Sequence, residues 1–207
     1  MSSSIIFPPF EHAQKDGLLA SGGNLSPDTL EFAYRSGIFP WYNEDEPILW
    51  WSPDPRFVLY PKNLRISKSM NKELRNNKFR FSINEAFPQV IHACRMQYRQ
   101  GQDGTWIGKE MEAAYNHLHL AGLAHSAECW LGNDLVGGLY GVKLEKVFCG
   151  ESMFSIESNA SKFAFIKFVQ ILETEGIKLI DCQVYTEHLE SLGAEMITRK
   201  NYLKYLK

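Results

Sequence analysis

The stretch His125–Ser155, HSAECWLGNDLVGGLYGVKLEKVFCGESMFS, decides the fold. HSAECWL and LVGGLYGVKL are strand-like runs, and Gly132-Asn133-Asp134 between them reads as a short hairpin turn. KVFCGESMFS continues the meander into a third strand. Downstream, NASKFAFIKFVQILETEG (159–176) predicts a long apolar helix, with Asn159 as its cap and Gly176 just past its end. IKLIDCQVY follows as a strong strand, EHLESLG as a short helix and AEMITRKNYLKYL as the final segment. A Gly137-Gly138 pair inside a strand pattern marks a bulge or a close backbone approach.

Upstream of the meander, 84–99 and 109–122 read as helices. Asn84 opens the first, with Pro88 tolerated near its start, and Gly122 closes the second. The order of elements predicts an α+β domain of acetyltransferase type, a mixed sheet flanked by helices. Before it, Ser26 as N-cap, Pro27 and Asp28 start a short helix that Gly37 ends. PWYNEDEPILWWSPDPR then packs four prolines and three tryptophans into seventeen residues. That is too much proline for regular structure and too much aromatic surface for an idle linker. The expected organisation is a small N-terminal domain, 1–60, and a larger one, 61–207.

Composition narrows the function classes. The 207 residues are 44% hydrophobic and 22% charged, with net charge −2. This is ordinary globular composition. No run reaches the ~18 apolar residues of a membrane span, and the first residues lack the basic and apolar regions of a secretory signal. Four scattered cysteines, without CxxC or CxxH spacing, read as free thiols of a cytoplasmic protein. No metal and no cofactor is expected. Between Lys62 and Arg80 the charge is concentrated: Lys62, Arg65, Lys68, Lys72, Arg75, Lys78 and Arg80 face one acid, Glu73. Such a run is either a nucleic-acid footprint or a solvated face.

Three polar side chains carry the chemistry. In LIDCQVY, alternation puts Asp181 and Gln183 on one strand face and Ile180 on the other. A carboxylate and an amide on an apolar strand need polar company. They either orient an amine and polarise a carbonyl, or hydrogen-bond a neighbouring loop. Glu151, in GESMFS, adds a carboxylate among small and apolar residues, where something cationic or hydrogen-bonding must meet it. The two acids suit a cationic ligand or an acid/base pair for hydrolysis. Neither Ser126 nor the cysteines near a histidine sit in a nucleophile-elbow motif, which argues against a hydrolase.

The blocks GIFPWY, ILWWSPDPR, GTWI, AHSAECW, LVGGLYG, FCGESMFS, NASK, LIDCQ and SLGA occur in one order between Gly17 and Leu206. By them the chain resembles the bacterial leucyl/phenylalanyl-tRNA protein transferases. The resemblance implies a small N-terminal domain and an acetyltransferase-like domain. It also implies transfer of Leu or Phe, and Met less well, from aminoacyl-tRNA to proteins beginning with Arg or Lys, a mark for degradation. On it, Asp181 and Gln183 fall on the catalytic positions and Glu151 on the acceptor side. Trp41, Trp106 and Tyr115 match aromatics near the aminoacyl-adenosine. Leu139, Phe148, Phe168 and Ile180 match the pocket for the transferred side chain, Leu139 standing where some members have Met. Ile180 can share that pocket only where the strand is bulged or split. Asp181 is expected to hydrogen-bond the attacking amine, and the basic stretch to contact tRNA phosphates. Two rivals fit less well. A CoA-dependent acetyltransferase would want a glycine-rich turn where this chain has IESNASK. A tRNA-binding module without catalysis would leave the three polar residues idle.

Overall fold

The computed structural model describes residues 6–97 and 107–207. Two sheets organise the chain. The smaller is antiparallel, in the order β1 (Leu18–Ser21), β3 (Leu49–Trp51), β2 (Phe39–Pro40). Against it lies α1 (Pro27–Arg35), whose first turn is capped by Ser26 accepting from Thr29 N, with Pro27 at the first helical position. The tryptophan-rich loop is therefore structured: Trp50 is buried and its indole donates to Gly22 O at 2.8 Å.

The larger sheet has seven strands. Its first member is β4 (Arg56–Leu59), which lies before the expected boundary at residue 60 yet pairs with the C-terminal strands. The basic stretch forms α2 (Lys68–Arg75) and enters β5 (Arg80–Ile83). Next come α3 (Phe87–Met96) and α4 (Lys109–Leu120). The meander is β6 (Ala124–Leu131), β7 (Asp134–Lys143) and β8 (Val147–Ser155), antiparallel as expected. Then follow α5 (Ala160–Thr174), β9 (Leu179–Gln183), α6 (Glu187–Ser191), β10 (Glu195–Ile197) and α7 (Arg199–Tyr202). The order across the sheet is β10-β4-β9-β8-β7-β6-β5, and β8 with β9 is the parallel pair. This is the mixed sheet flanked by helices that the sequence predicts.

Alternation sorts the core. Tyr140, Val142, Val147, Cys149 and Leu179 face α3, α4 and the N-terminal unit. Their neighbours Leu139, Phe148 and Ile180 face α5 and α2. Gly137 explains how α5 comes so near: a Cβ there would stand 2.6 Å from Ala160 Cβ. Only glycine permits that approach.

Two expected caps differ. Asn84 does not cap α3; it sits at φ +60° and its Oδ1 accepts from Ser126 N, tying the end of β5 to β6. The helix starts at Phe87, because Pro88 fits only the first turn. Asn159 occupies the N-cap position of α5 in a left-handed conformation without a side-chain cap bond; Ser155 Oγ instead accepts from Ser161 N at 3.2 Å.

Candidate active site

β8 and β9 are in register at Val147/Leu179, Phe148/Ile180 and Cys149/Asp181, and part beyond that point. Glu151 lies past the fork on one strand and Gln183 on the other. A cavity of about 410 Å³ opens there. Because it crosses the fork, it draws on both sheet faces. Leu139, Met153, Phe165 and Ile180 form an apolar end, while Phe39, Pro40, Trp41 and Tyr140 come from the other side. A bulge between Phe57 and Val58, opposite Asp181–Gln183, adds to the irregularity. Ile180 thus reaches the cavity although it alternates with Asp181.

Strand geometry fails at Gln183. Its φ is +63°, and Val184 N donates to Cys182 O at 2.7 Å, closing a three-residue γ-turn around it. Such a turn with positive φ is strained, by about 1–3 kcal/mol for a residue with a side chain. Asp181 supports it: Gln183 N donates to Asp181 Oδ1 at 2.9 Å. The turn lets the Gln183 amide cross the fork and donate from Nε2 to Glu151 Oε1 at 2.7 Å.

Asp181 itself is 0% exposed. Arg56 donates to it twice, Nε to Oδ1 at 2.8 Å and Nη2 to Oδ2 at 2.6 Å. Tyr202 OH donates to Oδ2 at 2.8 Å. With Gln183 N, four donors occupy a carboxylate that has about four lone-pair sites. Nothing is left for an incoming amine. The direct contact with the amine expected from the sequence does not match this arrangement. Burial alone would lower the Arg56 guanidinium, but the Asp181 carboxylate outweighs it and the net shift is upward.

Glu151 is different. Its Oε2 accepts from Tyr115 OH at 3.1 Å, and Tyr115 in turn shares a short hydrogen bond with Tyr34. With Gln183 Nε2 on Oε1, two donors among the described residues serve four sites and leave two acceptor directions unused by them. The groups that meet it are neutral. Burial pushes its carboxyl up from the ordinary 4.5 to about 7; the nearby hydroxyl of Tyr34 and the bonds from Tyr115 and Gln183 hold it back, and the charge of Asp181 adds to the rise. Burial and the adjacent Glu151 raise both tyrosines well above their ordinary value, so they stay protonated donors. Among the described residues no cation pairs with Glu151, a recessed carboxylate.

Of the other sequence candidates, Leu139, Ile180 and Trp41 line the cavity, Trp41 with 37% of its surface exposed. Tyr115 is buried and reaches the site only through its hydroxyl. Phe148 and Phe168 pack edge to face, centroids 4.9 Å apart, in the core cluster that includes Leu139 and Ile180. They are not among the lining residues, so they back the pocket wall, which Met153 and Phe165 form instead. Trp106 lies outside the described residues. All seven basic candidates are exposed. Lys78 pairs with Glu157 and Arg80 with Glu85, whereas Lys68, Lys72 and Arg75 share one face of α2.

Sequence reading assigned no role to Arg56, Tyr202 or Tyr34. Arg56 stands within ILWWSPDPR, but nothing local distinguishes a buried arginine from a surface one. Among the described residues no three His, Cys, Asp or Glu side chains cluster to hold a metal, and no helix is long and apolar enough to cross a membrane.

Comparison with known proteins gives a consistent result. The model of the leucyl/phenylalanyl-tRNA protein transferases matches residues 58–207, and that of their N-terminal domain matches 23–54. A leucyl/phenylalanyl-tRNA protein transferase of Christiangramia forsetii is 61% identical, over 97% of this chain and 95% of its own. One from Flavobacterium johnsoniae is 54% identical, over 98% and 96% respectively. Among solved structures, a GCN5-related N-acetyltransferase from Kribbella flavida aligns with 10% identity and a TM-score of 0.38, covering 78% of this chain and 57% of that one.

Proposed function

Because this chain belongs to the leucyl/phenylalanyl-tRNA protein transferase family, we propose that it moves leucine or phenylalanine, and methionine less readily, from aminoacyl-tRNA to proteins beginning with Arg or Lys. The product's new N-terminal residue marks it for degradation, and the reaction runs in the cytoplasm without a metal or cofactor. The smaller sheet and its loop serve the adenosine end of the donor through Trp41, and Trp106 is assigned to the same end by the family resemblance. The larger unit carries the reacting groups.

One observation supports this reading above the others. Glu151, raised to about 7 by burial, keeps two acceptor directions open among the described residues, beside Gln183 in the lining of an apolar cavity. A positively charged N-terminal residue supplies a counter-charge that the described residues do not. The apolar end, with Leu139, Met153, Phe165 and Ile180, takes the donor side chain. It rejects charged side chains because their desolvation is uncompensated.

The aminoacyl ester is already activated, so the enzyme has chiefly to hold amine and carbonyl within attack distance. Gln183 gives its Nε2 to Glu151 and leaves Oε1 to accept a hydrogen from the attacking amine. The C–N bond forms as the ester C–O bond breaks. The amine loses one proton and the terminal ribose oxygen gains one. Asp181 acts through Gln183, by holding the strained turn that aims the amide. Trp41 and Trp106 stack or wall the exposed adenosine, as aromatic faces do for unpaired bases. Lys62, Arg65, Lys68, Lys72, Arg75, Lys78 and Arg80 carry the acceptor-stem phosphates, which position the tRNA without reading its sequence. Labelled Phe-tRNA, supplied with an Arg-initiated or an Ala-initiated peptide, tests the assignment: label should enter the Arg peptide only.

A further inference from the structure

We infer that Arg56 and Tyr202 are positioning residues for the transfer, acting through Asp181 on the conformation of Gln183. The inference rests on the proposed reading of the site and adds two residues to which that reading gives no part.

The chain of contacts is continuous. Arg56 is 1% exposed and its guanidinium is sandwiched between rings, 4.6 Å from the Phe39 centroid and 4.7 Å from that of Tyr202. The sandwich fixes the plane in which Nε and Nη2 meet the two oxygens of Asp181. Tyr202 therefore acts twice, as a wall for the guanidinium and as a donor to Oδ2. Fixed on that side, Asp181 presents Oδ1 to Gln183 N and holds the left-handed turn. The last link is the bond from Gln183 Nε2 to Glu151. Phe39 also lines the cavity, so one ring braces the guanidinium and faces the substrates.

The energetics say why a salt bridge stands here. A buried ion pair is poor evidence for stability, since apolar residues of equal volume often serve as well. What this one supplies is direction. Among the described residues the buried Arg56 Nη1 has no hydrogen-bond partner, a cost that a purely stabilising pair would not carry. An arginine fork has a rigid geometry that a lysine cannot copy. The C-terminal turn is anchored for the same purpose. Arg199 donates from Nη1 to Ser52 O at 2.5 Å, and its backbone N donates to Asp54 Oδ1 at 3.0 Å. These bonds tie α7, and with it Tyr202, to the segment that carries Arg56.

The test is a double-mutant cycle on Tyr202→Phe and Asp181→Asn, read in single-turnover transfer from Phe-tRNA to an Arg-initiated peptide. Tyr202→Phe keeps the ring and removes one hydroxyl. Alone it should lower the rate about tenfold with both substrate KM values unchanged. In the Asp181→Asn background it should lower the rate by less than twofold, because its route to Gln183 is already cut. Arg56→Lys should behave like Tyr202→Phe and be equally silent in that background. A second readout needs no substrate: in Tyr202→Phe the side-chain amide resonance of Gln183 should shift and broaden, while those of distant glutamines such as Gln170 stay in place. A multiplicative rate loss in the double variant, or an unmoved Gln183 resonance, overturns the inference. If wild-type protein shows no transfer, the functional reading fails, while the resonance still decides whether Tyr202 governs Gln183.

Discussion

Replacing Glu151 with Gln separates the electrostatic cost of the site from its use. Burial raises the Glu151 carboxyl from 4.5 to about 7 in the folded protein. Between those values the folded chain binds more protons than the unfolded one, so stability falls as pH rises. The favourable contribution is complete below the unfolded value and lost as pH passes the folded one. At about 1.4 kcal/mol per pH unit the whole span is worth about 3 kcal/mol. Gln does not titrate. Its amide also gives up one acceptor, so a bond from Tyr115 or Gln183 is lost at about 1 kcal/mol, at every pH. The variant should therefore be slightly less stable than wild type at pH 4.5 and about 2 kcal/mol more stable at pH 8. Urea melts of both proteins at closely spaced pH values measure the difference. If the two stability curves run parallel from pH 4.5 to 8, Glu151 is not a raised carboxylate and its role in capturing a cation loses its basis. In the transfer assay the same variant should lose its preference for Arg and Lys over neutral N-termini.

The pH profile of transfer offers a related check. The acceptor amine titrates near ~8 and must be neutral, while Glu151 must be ionised above about 7. So log kcat/KM for the Arg peptide should climb with a slope near ~2 below pH 7 and near ~1 up to pH 8 in wild type, and near ~1 throughout in Glu151→Gln. Asp181→Asn should lower kcat at least about tenfold, the loss of one well-placed interaction, while tRNA affinity holds; full turnover in that variant removes Asp181 from the mechanism. Phe165→Ala enlarges the apolar end and should weaken Leu and Phe transfer by about 1–3 kcal/mol without altering acceptor choice, as competition between peptides would report. Lys68→Ala with Arg75→Ala should flatten the log–log salt dependence of tRNA affinity by about 1.5 units, and superimposable slopes would make α2 a solvated face.

How much of this was legible before the structure depends on the distance over which each feature is written. The hairpin at Gly132-Asn133, the α1 cap at Ser26 and the strand course of the meander are local, and the structure has them where the sequence puts them. The expected caps Asn84 and Asn159 took other conformations: Ser126 N donates to the Asn84 side chain, and Ser155 Oγ accepts from the start of α5 in place of Asn159. At Gln183 the alternation rule broke, since a γ-turn replaces the strand and no local residue announces it. Glu151 was recognisable as a misplaced charge, but its tyrosine partners were not, because Tyr34 reads as a plain core aromatic and Tyr115 was expected beside the aminoacyl-adenosine. Arg56 was the hardest to read. Its partner lies 125 residues away, and only the sheet order brings β4 beside β9.

The central claim is that Glu151 receives the cationic side chain of an N-terminal Arg or Lys while the neighbouring cavity holds an apolar aminoacyl group. Mass spectrometry of a reaction containing Phe-tRNA and equimolar Arg-, Lys- and Ala-initiated peptides tests it directly. The account predicts one added phenylalanyl residue on the α-amine of the Arg and Lys peptides, with the Ala peptide unchanged. Equal modification of all three peptides, or free phenylalanine with no modified peptide, would contradict it.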